Sequence, residues 1–265
     1  MSRRLILIPP SEGKAFGGEG PPWESLPGAR DHPLHASRRE VIDALDSTLA
    51  ARSMTRAAAA KLLGVKGDAL QRAIGADLDI DEAATLPAIE RYDGVLYQHL
   101  DAASLDARSR RRLVRSVRIF SGLWGVVAPD EAIPDYRLKM SASLRGLGKL
   151  STWWRDSIAE ALARDLKGAE LWNLLPQEHA AAFRAPLGSV ECTATFLKPG
   201  RGGEPVAVSH WNKALKGALV AHLVRNPSAE PGDLVGWQHP AGYRLDPKSL
   251  VEADGRMQLR FLSAD

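Results

Sequence analysis

The stretch LILIPPSEGK, Leu5 to Lys14, decides how the chain is read. Four apolar residues, two of them β-branched, stop at Pro9, and Ser11, Glu12 and Lys14 follow at once. An apolar run this short, bounded by prolines, has the pattern of a strand buried on both faces. It is far too short for the apolar core of a signal peptide or for a membrane span. Strands of this kind belong to α/β sheets, whose ligand crevices lie beyond the carboxyl ends of the strands. Lys14 stands at such an end, as a point charge suited to phosphate. The plainer alternative is an exposed loop lysine. The loop is no Walker motif, because G-x-x-x-x-G-K-[ST] is absent.

Outward from this strand, residues 15–36 read as a long loop rich in Gly, Pro and Trp, and residues 38–118 as mostly helical. Within the latter, LLGVKGDALQRAI (62–74) carries Gly64 and Gly67 three apart, between apolar pairs. Glycine tolerates positive φ, so this stretch predicts two short helices joined by a tight turn. AIERYDGVLYQHL reads as one further helix, and DARSRRRLVRSVRIF as a helix that ends in a strand. Residues 121–150 read as glycine-rich loops. STWWRDSIAEALARDL reads as a helix capped by Ser151 or Thr152. LWNLL, VECTATFL, PVAVS, VGWQ, YRL and MQLRFL read as strands, with PGRGGE turning a hairpin between the second and third. SHWNKALKGALVAHLV is a helix. The expectation is one α/β domain over residues 1–265, a mixed sheet with surrounding helices, in which 38–90 is a candidate helical subdomain.

Composition is that of an ordinary globular chain: 265 residues, 45% apolar and 25% charged, with a net charge of +3. A sequence pI near 9.1 permits an anionic partner without requiring one. Cys192 is the only cysteine, which excludes an internal disulfide and suits a reducing cytoplasm. Its place in an apparent strand marks it as a packed core thiol. The histidines are scattered, Glu178-His179 lacks the rest of a zinc helix, and no G-x-S-x-G elbow occurs. No metal and no cofactor are expected.

Three further segments carry charge. Arg108, Arg111, Arg115 and Arg118 share a helical face, either for phosphates or as a solvated surface. In PDYRLKM, an extended backbone points Arg137 and Lys139 the same way beside Tyr136. These groups suit phosphate and base contact, unless Arg137 is paired with a buried acid that pins the loop. In SHWNKALKG, Ser209, Lys213 and Lys216 share a face near a helix start, and Asn212 adds a neutral donor. Trp211, Leu215, Leu219 and His222 form the apolar side.

Taken together, LIPPSEGK, DGVLYQHLDA, FSGLWGVVAPDEAIPDYRLKM, NLLPQEH, SHWNKALKGALVAHLV and AGYRLDP resemble the YaaA peroxide-stress family over nearly the whole chain. The block ending in PDYRLKM and the S-x-x-x-K-x-x-K-G helix are its most specific parts. The resemblance implies a single-domain α/β fold with a basic cleft and a helix-hairpin-helix-like element, DNA binding, and protection against peroxide and free iron. It implies Gly64, Lys66 and Gly67 as the hairpin turn, and Lys14, Arg137, Lys139, Lys213 and Lys216 as cleft cations, with Ser11, Tyr136, Ser209 and Asn212 beside them. PPSEGK is a residue longer than the S-P-A-K loop associated with the family, and NLLPQEH keeps Asn173 and Glu178 of N-L-A-S-x-E. Two functions follow. One is a cytoplasmic, largely sequence-independent binder of duplex or branched DNA. The other is an enzyme acting on a nucleotide, nucleobase or small phosphorylated metabolite, with Glu12, Lys14 and Lys213 as catalytic candidates. No membrane segment is expected, and nothing points to a specific protein partner.

Overall fold

The computed structural model describes residues 3–200, 204–208 and 211–263. The chain opens in β1 (Arg3–Ile8), then forms helices α1 (His35–Leu49), α2 (Arg56–Leu63) and α3 (Asp68–Leu78). Strand β2 (Leu86–Pro87), α4 (Ala88–Arg91), α5 (Val95–Leu100) and α6 (Ala107–Ser116) follow, and α6 runs directly into β3 (Val117–Ser121). Next come β4 (Gly125–Val127), β5 (Ala132–Ile133), β6 (Ser143–Leu144), β7 (Gly148–Lys149), α7 (Leu150–Leu166) and β8 (Ala169–Asn173). The remainder is α8 (Gln177–Ala180), β9 (Glu191–Pro199), β10 (Pro205–Ala207), α9 (Asn212–Arg225), β11 (Arg244–Leu245), β12 (Glu252–Ala253) and β13 (Arg256–Leu262).

The main sheet has the order β11-β13-β9-β8-β1-β3-β4, with β10 added on β9 and β12 on β13. Its core, β3-β1-β8-β9-β13, is parallel; β4, β10, β11 and β12 pair antiparallel. Ile6 of β1 faces Val117 on one side and Trp172 on the other. Leu5, Ile6, Leu7 and Ile8 are each at most 1% exposed, so both faces of β1 are covered, as its sequence predicts. Helix α6 packs on β1 and β3, α9 on β9, and α7 on β4 and β8. The buried side chains form one cluster from Leu5 to Phe261.

From β1 the chain moves to β3 on one side, then returns to β8 on the other. The connections therefore diverge between β1 and β8, and a crevice is expected beyond the carboxyl ends of these strands. Residues 9–14, 122–124 and 174–177 leave the sheet at that edge.

Four local readings are corrected. AIERYDGVLYQHL is two short helices, α4 and α5, broken at Tyr92–Gly94. The loops of 121–150 contain the short strands β4 to β7. Helix α7 starts at Leu150 without a side-chain cap, so neither Ser151 nor Thr152 caps it. VGWQ is no strand: Val235 ends a 3-10 turn, and the Trp237 ring stacks on His222 with centroids 4.3 Å apart.

Helices α5 and α9 cross closely at Gly217, where a Cβ would lie 2.2 Å from the Leu96 carbonyl oxygen. Gly217→Ala is expected to cost about 2–3 kcal/mol, since backbone on the facing helix must yield. Urea unfolding checks this, and a loss below about 0.5 kcal/mol would contradict the close crossing. Among the described residues, no helix is long and apolar enough to cross a membrane.

Candidate functional site

Lys14 lies just past β1, where an isolated antiparallel bridge to Tyr92 fixes its backbone. The side chain turns inward, and the residue is only 8% exposed. Its Nζ donates to the Ser11 carbonyl at 2.9 Å and sits 4.3 Å from the Tyr136 ring centroid and 5.4 Å from that of Tyr92. Burial and the nearby Arg137 guanidinium push the amine down to about 7, against the pull of Asp135, Asp77 and Glu12. The hydroxyls of Tyr92 and Tyr136 are hydrogen-bonded at 2.7 Å, and that of Tyr136 also meets the Ser121 hydroxyl at 2.7 Å. Ser121 Oγ in turn accepts the N–H groups of Leu123 and Trp124. This chain of hydroxyls ties the end of β3 to the Lys14 loop.

In PDYRLKM, Tyr136, Leu138 and Met140 are buried while Asp135, Arg137 and Lys139 are half-buried. This alternation is the one expected of an extended segment. Arg137 is paired with Asp135, and its backbone N–H donates to Asp77 Oδ1 at 2.7 Å. The acid that pins this loop is therefore Asp77, acting through the main chain, while the guanidinium has a nearer partner.

Asp77 comes from the hairpin. Helix α2 starts at Thr55, whose side chain accepts the Ala58 N–H, and ends at Gly64 in the left-handed region (φ 75). Gly67, also at positive φ (62), precedes α3. The two helices pack on each other across this turn, as the glycine spacing predicts. On α3, Leu70, Ala73 and Asp77 are buried, a spacing that places an acid on an apolar stripe. That spacing was the available signal for Asp77. The residue is 0% exposed, and its Oδ2 has no hydrogen-bond partner among the described residues. Burial pushes its carboxyl up to about 8, although the Arg137 N–H and Lys14 favour the ionised form.

Lys139 continues the edge. Its side chain lies across the hairpin turn, so that a Cβ at Gly64 would sit 2.0 Å from Lys139 Cε. Glu178, on α8, accepts both the N–H and the hydroxyl of Ser141 at 3.0 and 2.8 Å. Burial opposes ionisation there, but these bonds, His179 and Lys139 hold its carboxyl below the usual value. Burial and Lys213 push the His179 imidazole down to about 4 against the pull of Glu178. Lys216 donates to the Leu174 carbonyl at 2.9 Å, and burial lowers it to about 8. Asn212 starts α9, and its buried Oδ1 has no partner among the described residues. Lys139 and Lys213 are in no ion pair or side-chain hydrogen bond among the described residues. Thus the segments at 11–14, 136–139 and 212–216 follow one another along the carboxyl edge of the sheet, linked by Tyr136 and by the Glu178-His179 corner.

Not every candidate joins them. Glu12 is exposed and exerts only the last of the influences on Lys14, and Lys213 acts on His179 rather than on Lys14. Glu12, Lys14 and Lys213 therefore do not form one cluster. Lys66 is exposed at the hairpin turn. Ser209 lies outside the described residues. Trp211 is 60% exposed, which removes it from the apolar side of α9, where Leu215 and Leu219 are buried.

The family described as peroxide stress protein YaaA matches residues 5–249. The chain belongs to this family. A UPF0246 protein of Streptomyces coelicolor is 36% identical over 251 residues, covering 92% of this chain and 93% of that protein. UPF0246 proteins of Corynebacterium glutamicum and Cereibacter sphaeroides are each 33% identical, over 226 and 206 residues. They cover 83% and 74% of this chain, and 84% and 79% of their own lengths. The span matched by the YaaA family holds every residue of the edge from Ser11 to Lys216.

The arginine run of this YaaA-family chain has a different role from the lysine edge. Its second half, Arg112, Arg115 and Arg118, lies at the opposite end of the strands and with Arg3 and Arg4 lines a cavity of about 690 Å³, while Arg108 and Arg111 are exposed. Arg112 donates to the carbonyls of Val224 and Arg225 at the end of α9, and Arg118 to those of Val114 and Val117 at the end of α6. Arg4 donates to the carbonyls of Leu223 and Asn226. Asp165 pairs with both Arg3 and Arg118, each at 2.6 Å. These guanidiniums satisfy the orphan carbonyls of two helix C-termini. Among the described residues, no three His, Cys, Asp or Glu side chains converge to hold a metal.

Proposed function

We propose that this peroxide-stress family protein is a cytoplasmic, largely sequence-independent DNA-binding protein whose phosphate contacts lie along the carboxyl edge of the sheet. The observation that carries the reading is the succession of Lys14, Arg137, Lys139, Lys213 and Lys216 along that edge, with Lys139 and Lys213 in no ion pair among the described residues. The hairpin turn at Gly64–Gly67, with exposed Lys66, lies against Lys139 and extends the same surface as a helix-hairpin-helix-like element. Such contacts position a duplex without reading its bases. The first turn of α9 adds backbone N–H groups that favour an anion.

The test is duplex affinity measured against salt concentration. Each phosphate contact contributes a slope of about −0.9 in log K against log salt. Lys139→Ala and Lys213→Ala are each expected to flatten the slope by about one contact. Undetectable binding at low ionic strength, or slopes that neither substitution moves, contradicts the reading.

One observation favours a second reading, an enzyme acting on a nucleotide or small phosphorylated metabolite. Lys14 and Asp77 are both driven toward neutrality side by side, a feature that marks reactive groups more often than plain phosphate contacts. Stabilisation of the protein by a nucleotide or sugar phosphate, followed by turnover, supports it.

A further inference from the structure

We infer that Lys14 is a nucleophile that captures an aldehyde carried next to phosphate, forming a C=N bond with its Nζ. The inference rests on the anion-binding reading of this edge and names what that edge would present to Lys14.

Lys14 is built unlike the exposed cations of the same surface. Lys213 and Lys66, proposed above as phosphate contacts, stand in water. The Lys14 residue is 8% exposed, its Nζ rests over two tyrosine rings, and no carboxylate is salt-bridged to it among the described residues. The ring faces favour the ammonium, while burial and Arg137 favour the neutral amine, and the balance falls near neutrality. A neutral amine is a nucleophile; an ammonium is not. The Cys192 thiol is buried and pushed up to about 12, so it offers no competing centre.

Asp77 supplies the second half of the chemistry. A buried carboxyl oxygen with no partner costs stability, yet Asp77 Oδ2 is kept that way at 0% exposure. Asp77 and Lys14 shift each other's proton affinity without an ion pair between them. A carboxyl held protonated near pH 7 is a proton donor beside the amine.

The step balances without oxidant or cofactor. The Nζ lone pair forms a bond to the carbonyl carbon, and the carbonyl oxygen takes up a proton that the attacking nitrogen releases. Asp77 donates a second proton as the hydroxyl leaves as water, and the amine keeps one proton as a protonated C=N bond. Aldehyde, neutral amine and protonated carboxyl give iminium, water and carboxylate. Arg137, whose charge reaches the Lys14 amine and whose backbone N–H meets Asp77, is the cation placed to hold the accompanying phosphate.

That chemistry has two sources, the ring-opened sugar of an abasic site in DNA and a free sugar phosphate. The experiment incubates the full chain with borohydride and either a duplex oligonucleotide bearing one abasic site or a triose phosphate, and maps the reduced adduct by mass spectrometry. The expected result is an adduct on Lys14, abolished in Lys14→Arg. Asp77→Asn is expected to slow it about 10²-fold, and Lys167→Ala, on the far edge, to leave it unchanged. An adduct with the oligonucleotide alone assigns the polymer as source, and one with triose phosphate alone assigns the metabolite. No adduct with either, or labelling of other lysines in preference to Lys14, overturns the inference. Salt-dependent binding of an undamaged duplex is measured separately, so a failed capture and a failed DNA-binding reading are told apart. If Lys14→Arg does not fold, the site of labelling in the wild-type chain still decides.

Discussion

Asp77→Asn is expected to equal the wild-type protein in stability near pH 4 and to exceed it progressively as the pH rises to about 8. The Asp77 carboxyl is raised from its ordinary value of 3.8 to about 8 by burial. Between those values the unfolded chain carries it ionised and the folded chain carries it protonated, so folding takes up a proton. The favourable contribution of the protonated acid is complete below pH 3.8 and is lost as the pH climbs through about 8. Asparagine is nearly isosteric, still accepts the Arg137 N–H through Oδ1, and has no charge to bury. The difference should reach a few kcal/mol by pH 8, with on the order of 5 kcal/mol as a ceiling. Lys14 changes little in this comparison: its amine is lowered to about 7, so by pH 8 it has largely lost the charge that offsets an ionised Asp77. Urea unfolding of both proteins at pH 4, 6 and 8 makes the measurement. A pH-independent difference, or a variant weaker than wild type at pH 8, would show that Asp77 is held ionised after all.

The same residue shows why part of the site was legible in the sequence and part was not. The strand at Leu5–Ile8 and the turn at Gly64–Gly67 are local facts: an apolar run cut by proline, and two glycines where φ must be positive. The extended alternation of Arg137 and Lys139 is local too. Asp77 is not, because its burial is imposed by the segment at Arg137, 60 residues away. Its only trace is an acid at the spacing of Leu70 and Ala73, easily read as a surface position. The arginine run was legible as charge but not as a device, since the carbonyls taken by Arg112 belong to the end of α9, over a hundred residues on. Trp237 and His222 likewise meet only through the tertiary fold, which is why VGWQ imitates a strand.

The pieces that define the edge are therefore long-range, and their rigidity falls on a few buried polar groups. This sets the second large effect. Arg91→Met is expected to cost about 3–5 kcal/mol. Arg91 is 0% exposed. Its guanidinium donates to four carbonyls: Ile133 at 3.2 Å, Ala15 at 2.5 Å, Gly17 at 2.7 Å and Ala84 at 3.2 Å. Those oxygens belong to the segment that follows Lys14, to the strand that precedes PDYRLKM, and to the turn before β2. Methionine fills much of the volume and leaves the oxygens unpaired, each a desolvated acceptor. Arg91→Lys keeps a cation, but one ammonium on a flexible stem cannot span the four acceptors, so it should recover only part of the loss. Because the pin holds residues 15–17, backbone amides at 13–20 should exchange faster in the Met variant than global destabilisation alone accounts for. Capture of aldehyde at Lys14 should fall with them, although Lys14 itself is unaltered. Urea unfolding and amide exchange read the two effects independently. A Met variant within about 1 kcal/mol of wild type, with unchanged exchange at 13–20, would mean that the Lys14 loop is positioned by its bridge to Tyr92 and by the tyrosine hydroxyls alone.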